Sequence, residues 1–175
     1  YLFLYPLILK NTSIEVLGLW SILATTVSFI SITDIGFSQL LVRDTGVDKL
    51  DRLDSTYRDY LSAQVLYCVV FFFILMAFLS FSDLVLGALD NVYSLSALKL
   101  SIPIMIAGTF LQLASNLDAA ILRARHDNYF VQFFSSIMPV ITYAPMIIGA
   151  LISKPIEGLA IGTLLTGATN LLLYR

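Results

Sequence analysis

The chain has 175 residues, is 58% hydrophobic and only 13% charged, and carries a net charge of −2 with a mean hydropathy of +0.88. A soluble domain needs about 25% charged residues to cover its surface, so this composition excludes an ordinary soluble fold. The slight negative charge and the lack of any basic run speak against a nucleic-acid partner.

The remaining question is where the charges fall. Val16–Thr33, Tyr60–Ser82, Leu100–Leu117, Asn128–Ser153 and Gly158–Tyr174 contain none. Each run is close to or above the roughly 18–20 residues with which a helix crosses a hydrocarbon core. Barrel strands are shorter and alternate, and a helix satisfies its own backbone in lipid. The fold class expected is therefore all-α, a polytopic membrane protein.

Tyr1–Leu9 is apolar but too short to span, and reads as the tail of a truncated first helix in an internal piece of a longer chain. Lys10–Ser13 forms the first loop, with Ser13 placed to cap the next helix. That second helix is expected over residues 14–42. Arg43–Asp59 is a hydrophilic loop with nine of the chain's 22 charges. A third helix follows over 60–82, and Cys68 within it is read as a small apolar residue. Asp83–Tyr93 is a milder loop. The fourth helix covers 94–124, the fifth 129–152 and the sixth 155–174, where Pro155 suits a first helical turn. Arg125–Asn128 is the tight turn between the fourth and fifth.

Loop lysines and arginines orient the bundle. Arg43, Lys49, Arg52, Arg58, Arg123, Arg125 and Arg175 fall on one side, against Lys10, Lys99 and Lys154 on the other. The arginine-rich side is expected to be cytoplasmic.

Several residues could carry chemistry. Asp34 lies nine residues before Arg43, at a depth where an ionised carboxylate costs roughly 2.5–3.5 kcal/mol to insert. Ser21, Thr25, Ser28, Ser31, Asp34 and Ser38 make a winding polar stripe, which either lines a cavity or bonds to neighbouring helices. Asp118 is a second intramembrane acid, preceded by Gln112, Ser115 and Asn116. Arg43, Arg123 and Arg125 either snorkel to the interface or meet an anionic head group with their planar forks. His126 belongs to an exposed turn. Pro103, Pro139 and Pro145 interrupt helix interiors, as kinks or gates. Gly158 and Gly162 are spaced for close helix approach. Metal-ligand clusters, phosphate-binding loops and nucleophile elbows are missing, so neither an enzyme nor a cofactor is expected.

The second helix, LGLWSILATTVSFISITDIGFSQLLVRDTG over Leu17–Gly46, resembles the corresponding helix of bacterial O-antigen and polysaccharide flippases of the multidrug/oligosaccharidyl-lipid/polysaccharide (MOP) exporter superfamily. A Leu-Gly-x-aromatic opening, an Asp-x-Gly step and an Arg at the cytoplasmic end match Leu17, Gly18, Trp20, Asp34, Gly36 and Arg43. The stretch FLQLASNLDAAILRARHDN, Phe110–Asn128, is similar to the family's fourth helix, although Asp118 departs from that pattern. The resemblance implies a six-helix N-terminal lobe of a twelve-helix MOP/MATE-like transporter in the bacterial cytoplasmic (inner) membrane. The implied partners are membrane lipids, a missing C-terminal lobe and an undecaprenyl-diphosphate-linked oligosaccharide, moved by alternating access. A coupling ion, H⁺ or Na⁺, is also implied. Asp34 and Asp118 would then serve coupling or cavity polarity, and Arg43, Arg123 and Arg125 head-group attraction. A multidrug or metabolite exporter, a membrane-embedded polymerase or glycosyltransferase, and a non-transporting scaffold are the alternatives.

Overall fold

The computed structural model describes residues 4–32, 40, 42–43, 58–63, 65–66, 69–70, 72–73, 94–124 and 128–174. Among them the chain is helical apart from short connections. The helices are α1 (Leu4–Asn11), α2 (Ile14–Ile32), α3 (Leu95–Ala124), α4 (Asn128–Leu151) and α5 (Pro155–Tyr174). The last three agree with the sequence expectation to within one residue at each end. The described residues of 58–73 are also helical, as are 40, 42 and 43. The rest of the predicted second and third helices, residues 33–39 and 74–82 among them, lies outside the described residues.

Local chemistry explains the boundaries. α1 closes where side chains take over its terminal carbonyls. Asn11 Nδ2 donates to Leu7 O at 2.9 Å, and Thr12 Oγ1 to Ile8 O at 2.7 Å. Ser13 then caps α2: the Val16 N–H donates to Ser13 Oγ at 3.4 Å and the Leu17 N–H to Ser13 O at 3.1 Å. This uses one of the donors that a helix start leaves unpaired. α4 ends in a left-handed residue, Ser153, at φ 60°. Its N–H donates to Ala150 O at 3.4 Å and that of Lys154 to Gly149 O at 2.7 Å, the paired pattern of a Schellman turn. Ser153 Oγ donates to Asn11 O at 2.9 Å, tying this turn to the end of α1. Pro155 opens α5 immediately afterwards, where its missing N–H is no loss.

α5 is the central element, packed against both α3 and α4. Its contacts depend on glycine. A Cβ on Gly108 of α3 would stand 2.5 Å from the Leu164 backbone nitrogen, and one on Gly167 would collide with Gly108 O. On the α4 side, a Cβ on Gly158 would meet Pro145 O at 2.7 Å, one on Gly149 would meet Gly158 Cα at 2.8 Å, and one on Gly162 would meet Thr142 O at 2.6 Å. Real Cβ atoms do not approach backbone this closely, so these five positions accept hydrogen alone. The Gly158/Gly162 spacing noted in the sequence is half of this seam; Gly108/Gly167 is the other half.

One apolar core joins all five helices. Leu4 and Ile8 of α1, Trp20 and Ala24 of α2, Met105 of α3, Met146 and Ala150 of α4, and Leu159 and Ala160 of α5 form a continuous buried cluster. Trp20 is fully buried and meets the edge of Tyr5 with ring centroids 5.6 Å apart. A smaller cluster at the far end of α3, around Leu117 and Ala120, receives Val42, Tyr60 and Leu61.

Among the described residues, three helices are long and apolar enough to cross a membrane: Ser96–Arg123, Asn128–Leu151 and Pro155–Tyr174. The 30 residues of α3 rise about 45 Å, more than the roughly 30 Å of a hydrocarbon core. Lys99 and Arg123, near its two ends, are both exposed, as interfacial cations should be. α4 leaves Phe133, Val140, Ile147, Ile148 and Leu151 exposed along its length. Soluble monomers rarely show an apolar patch of that extent, whereas lipid covers it at no cost.

The seam gives a paired prediction. Gly167→Ala forces α3 and α5 apart and should destabilise the protein by about 1–3 kcal/mol, the usual cost of overpacking. Gly18→Ala adds a Cβ that meets no described atom within 4 Å, and should leave stability equal or raise it by about 0.5–1 kcal/mol through helix propensity. Unfolding of both variants in mixed micelles measures the contrast; equal stability of the two would refute the seam.

Candidate functional site: a polar cleft among α3, α4 and α5

Beyond the glycine contacts, the facing positions of the three helices carry side chains of a different kind. From α3 come Gln112, Asn116, Ala119 and Arg123, spaced four, three and four apart so that they share one face. From α4 come Ser135, Met138, Thr142 and Tyr143 beside Pro139, and from α5 Thr166, Asn170 and Tyr174 at steps of four. Together they enclose a cleft of about 290 Å³, near the lower end of the roughly 300–1,000 Å³ range of small-molecule sites.

The inner wall is crossed by an interhelical bridge. Thr142 Oγ1 and Thr166 Oγ1 are 2.6 Å apart. Each hydroxyl also lies within bonding distance of a carbonyl of its own helix, Thr142 at 3.0 Å from Met138 O and Thr166 at 2.7 Å from Gly162 O. Nearer the ends of α3 and α5, Ser135 Oγ and Tyr174 OH approach to 3.3 Å. Pro139 supplies no N–H to the Ser135 carbonyl one turn earlier. Asn170 is buried at 6% exposure, and its Oδ1 has no hydrogen-bond partner among the described residues. A buried acceptor left in that state costs roughly 1–3 kcal/mol.

Of the residues singled out in the sequence, Arg123 lies in the wall, exposed at the end of α3. Gln112 and Asn116 line the cleft as well. Asp118 is half-buried, engaged in an interaction, and outside the wall. Its position two residues beyond Asn116 turns it about 200° around α3. Arg43 is helical and exposed. Its neighbour Val42 packs on the Leu117/Ala120 cluster, which brings Arg43 to the same end of the bundle as Arg123. Asp34 and Arg125 lie outside the described residues, as do Ser38 and His126. Within the polar stripe of α2, Thr25 and Ser28 are exposed, and Ser28 Oγ donates back to Ala24 O at 2.8 Å.

Thr142, Thr166, Asn170 and Tyr174 were not among the sequence candidates. Their signal is nevertheless present: three polar groups at steps of four in an uncharged segment, facing a Thr and a Ser seven apart on the preceding helix.

The cleft's chemistry is that of dipoles. Its described wall holds hydroxyls, carboxamides and one guanidinium, with no Asp, Glu, His or Cys, and no group of three such residues that could hold a metal occurs among the described residues. Such a wall can bind and orient a polar group but offers no general base or nucleophile activated by one. Comparison with protein-family models, curated proteins and solved structures finds no match to this chain.

The bridge can be measured directly. In a double-mutant cycle of Thr142→Val and Thr166→Val, the coupling should be about 0.6 kcal/mol and no more than about 1.7, the range for interhelical hydrogen bonds in lipid. A coupling of zero would mean that each threonine bonds only within its own helix.

Proposed function

We propose that the chain is the N-terminal lobe of a membrane flippase. The cargo is a lipid-linked oligosaccharide, an undecaprenyl-diphosphate-linked O-antigen or polysaccharide repeat unit, carried across the bacterial cytoplasmic membrane. The observation that carries the reading is a polar cleft inside a bundle of membrane-length helices, whose described wall holds an arginine and no carboxylate. An amphipathic cargo with an anionic diphosphate and a neutral glycan asks for that combination: a guanidinium for phosphate oxygens and uncharged dipoles for hydroxyls. The resemblance of Leu17–Gly46 and Phe110–Asn128 to the flippase pattern points the same way.

In this reading a second lobe completes the transporter, and the two rock about a shared cavity to open to each side in turn. Arg43, Arg123 and Arg125 attract the diphosphate at the cytoplasmic end. Asp34 and Asp118 serve coupling to H⁺ or Na⁺, because intramembrane acids can change charge state as the cavity opens and closes. The protein performs no covalent chemistry. A multidrug exporter has less support, since a site for cationic drugs needs acids and the described wall presents an arginine instead.

Complementation tests the proposal. The full-length protein, expressed in a bacterium lacking its own O-antigen flippase, should restore surface polysaccharide. Arg123→Ala, at equal protein level, should lower the restored amount on the order of tenfold, corresponding to one charge-assisted hydrogen bond of about 1.5 kcal/mol. Asp34→Asn should abolish the coupling-dependent part. Failure to restore polymer across hosts with several sugar types would overturn the reading.

A further inference from the structure

The inner end of the cleft is short of hydrogens. Thr142 and Thr166 have one hydroxyl hydrogen each, yet they make three contacts of bonding length: with each other at 2.6 Å, with Met138 O at 3.0 Å and with Gly162 O at 2.7 Å. If one hydrogen forms the bridge, only one carbonyl contact can be served. One turn further along α5, Asn170 Oδ1 has no donor among the described residues. In its present rotamer this oxygen is turned away from the open space. Rotation about the carboxamide torsion is soft, and turning that oxygen into the cleft breaks no bond of its own. The Met138 and Gly162 carbonyls already accept a backbone N–H of their own helix, so the acceptor left short is Asn170 Oδ1, and the threonine pair, about 6 Å away along the same face, keeps lone pairs to spare.

We propose that this inner end is a subsite for a neutral, hydroxyl-donating ring the size of one sugar unit, held by Asn170 Oδ1 and the Thr142/Thr166 pair. The assignment rests on the flippase reading for the origin of that ring, as part of the cargo's glycan, but the chemistry stands on the wall itself. A cationic donor is disfavoured because Arg123 shares the cleft and no carboxylate in the described wall offsets the desolvation of a second positive charge. An anion finds only neutral donors at this end, because the one cation of the described wall, Arg123, stands at the other. The Tyr143 and Tyr174 rings add the apolar faces against which a sugar's C–H side can rest. The volume of about 290 Å³ suits one ring, with the rest of a longer glycan outside the cleft's mouth.

Binding to the purified full-length protein in lipid nanodiscs tests the subsite without requiring transport. The probes are methyl glycosides of a hexose and of a 2-acetamidohexose, and the same sugars carried on a short polyprenyl diphosphate. Trimethylamine N-oxide serves as a hydroxyl-free osmolyte, because any excluded solute raises melting temperature non-specifically. The wild type should show a saturable rise with glycoside beyond that of the osmolyte. Asn170→Leu should raise the half-saturating concentration about fivefold, the loss of one neutral hydrogen bond. Thr166→Val, which keeps the side-chain shape, should do the same and serves if Asn170→Leu does not fold. Without ligand, Asn170→Leu should melt no lower than wild type, since it removes an unsatisfied acceptor. The lipid-linked probes should bind more tightly than the methyl glycosides and keep the same dependence on Asn170; equal affinity would assign the subsite to free sugar.

A rise equal in wild type and both variants, or none beyond the osmolyte, means that the cleft holds water only and overturns the subsite. Restored surface polymer that is indifferent to Asn170→Leu would overturn the subsite and leave the flippase reading intact. Glycoside binding that depends on Asn170 in a protein that restores no polymer would do the reverse.

Discussion

The close approach of α5 to α3 and α4 is the constraint on which the other features depend. Lipid tails are as apolar as leucine, so helices in a bilayer gain little from hiding apolar surface against one another, and packing quality decides their association. At Gly108/Gly167 and at Gly149/Gly158/Gly162 the backbones meet with no room for a Cβ. Such contact multiplies dispersion attraction between main chains, and it also fixes register. Gly162 sits against the carbonyl of Thr142, and the hydroxyl of that same Thr142 reaches Thr166 one turn further on. The register that the glycines impose is therefore what aligns the polar faces of α4 and α5. The cleft follows from the same geometry: axes clamped together at the glycines face each other through longer, polar side chains beyond them.

Inside the bundle most hydroxyls say little about function, because they satisfy themselves. Thr26, Ser28, Thr109, Ser115, Ser136 and Thr163 each donate to a carbonyl three or four residues earlier on the same helix. A serine or threonine can always do this, at the expense of a slight bend. A carboxamide has both donors and an acceptor to place, and local back-bonding cannot serve them all. Asn170 stands out in this company because its acceptor is left over, whereas the more numerous hydroxyls are not.

This distinction marks how far the sequence could be read. Charge-free runs, extended to the nearest turn signals, place α3, α4 and α5 to within a residue, and Ser13 and Pro155 mark the helix starts that they cap or open. Those features depend on local chemistry alone. The Gly158/Gly162 spacing predicted close approach, but not that Gly108, 59 residues upstream of Gly167, would complete it, since that pairing depends on the tertiary register. The serine and threonine stripe of α2 reads in the sequence as either a cavity lining or a set of bonds to neighbouring helices. In its described part Thr25 and Ser28 are exposed, and Ser28 bonds to its own helix. The wall assembled from α3, α4 and α5 was half visible through Gln112, Asn116 and Arg123. The α5 contribution is harder to see in the sequence, because Thr166, Asn170 and Tyr174 are interleaved with the glycines and apolar residues of an uncharged segment. Asp118 is conspicuous in the sequence as an intramembrane acid, but its position outside the described wall follows from a helical phase that only the packed bundle fixes.

A cleft beside so tight a seam is a feature that stability alone would not keep. Protein interiors are close-packed, and a void of this size forfeits the contacts that apolar side chains would make across it. Filling it with leucine and methionine would be the more stable solution for a helix bundle in lipid. The wall is polar instead, carries a guanidinium, and leaves a carboxamide oxygen with no partner among the described residues. Local departures from the stable arrangement of this kind concentrate where a protein must bind something. The dimensions sharpen the point. Gln112 and Arg123 bound the cleft on α3 and stand eleven residues apart, about 16 Å along the axis, or half the thickness of the hydrocarbon core. In the proposed flippase reading, a head group in the cleft would hold its diphosphate at the arginine and its neutral hydroxyls up to about 16 Å further along α3.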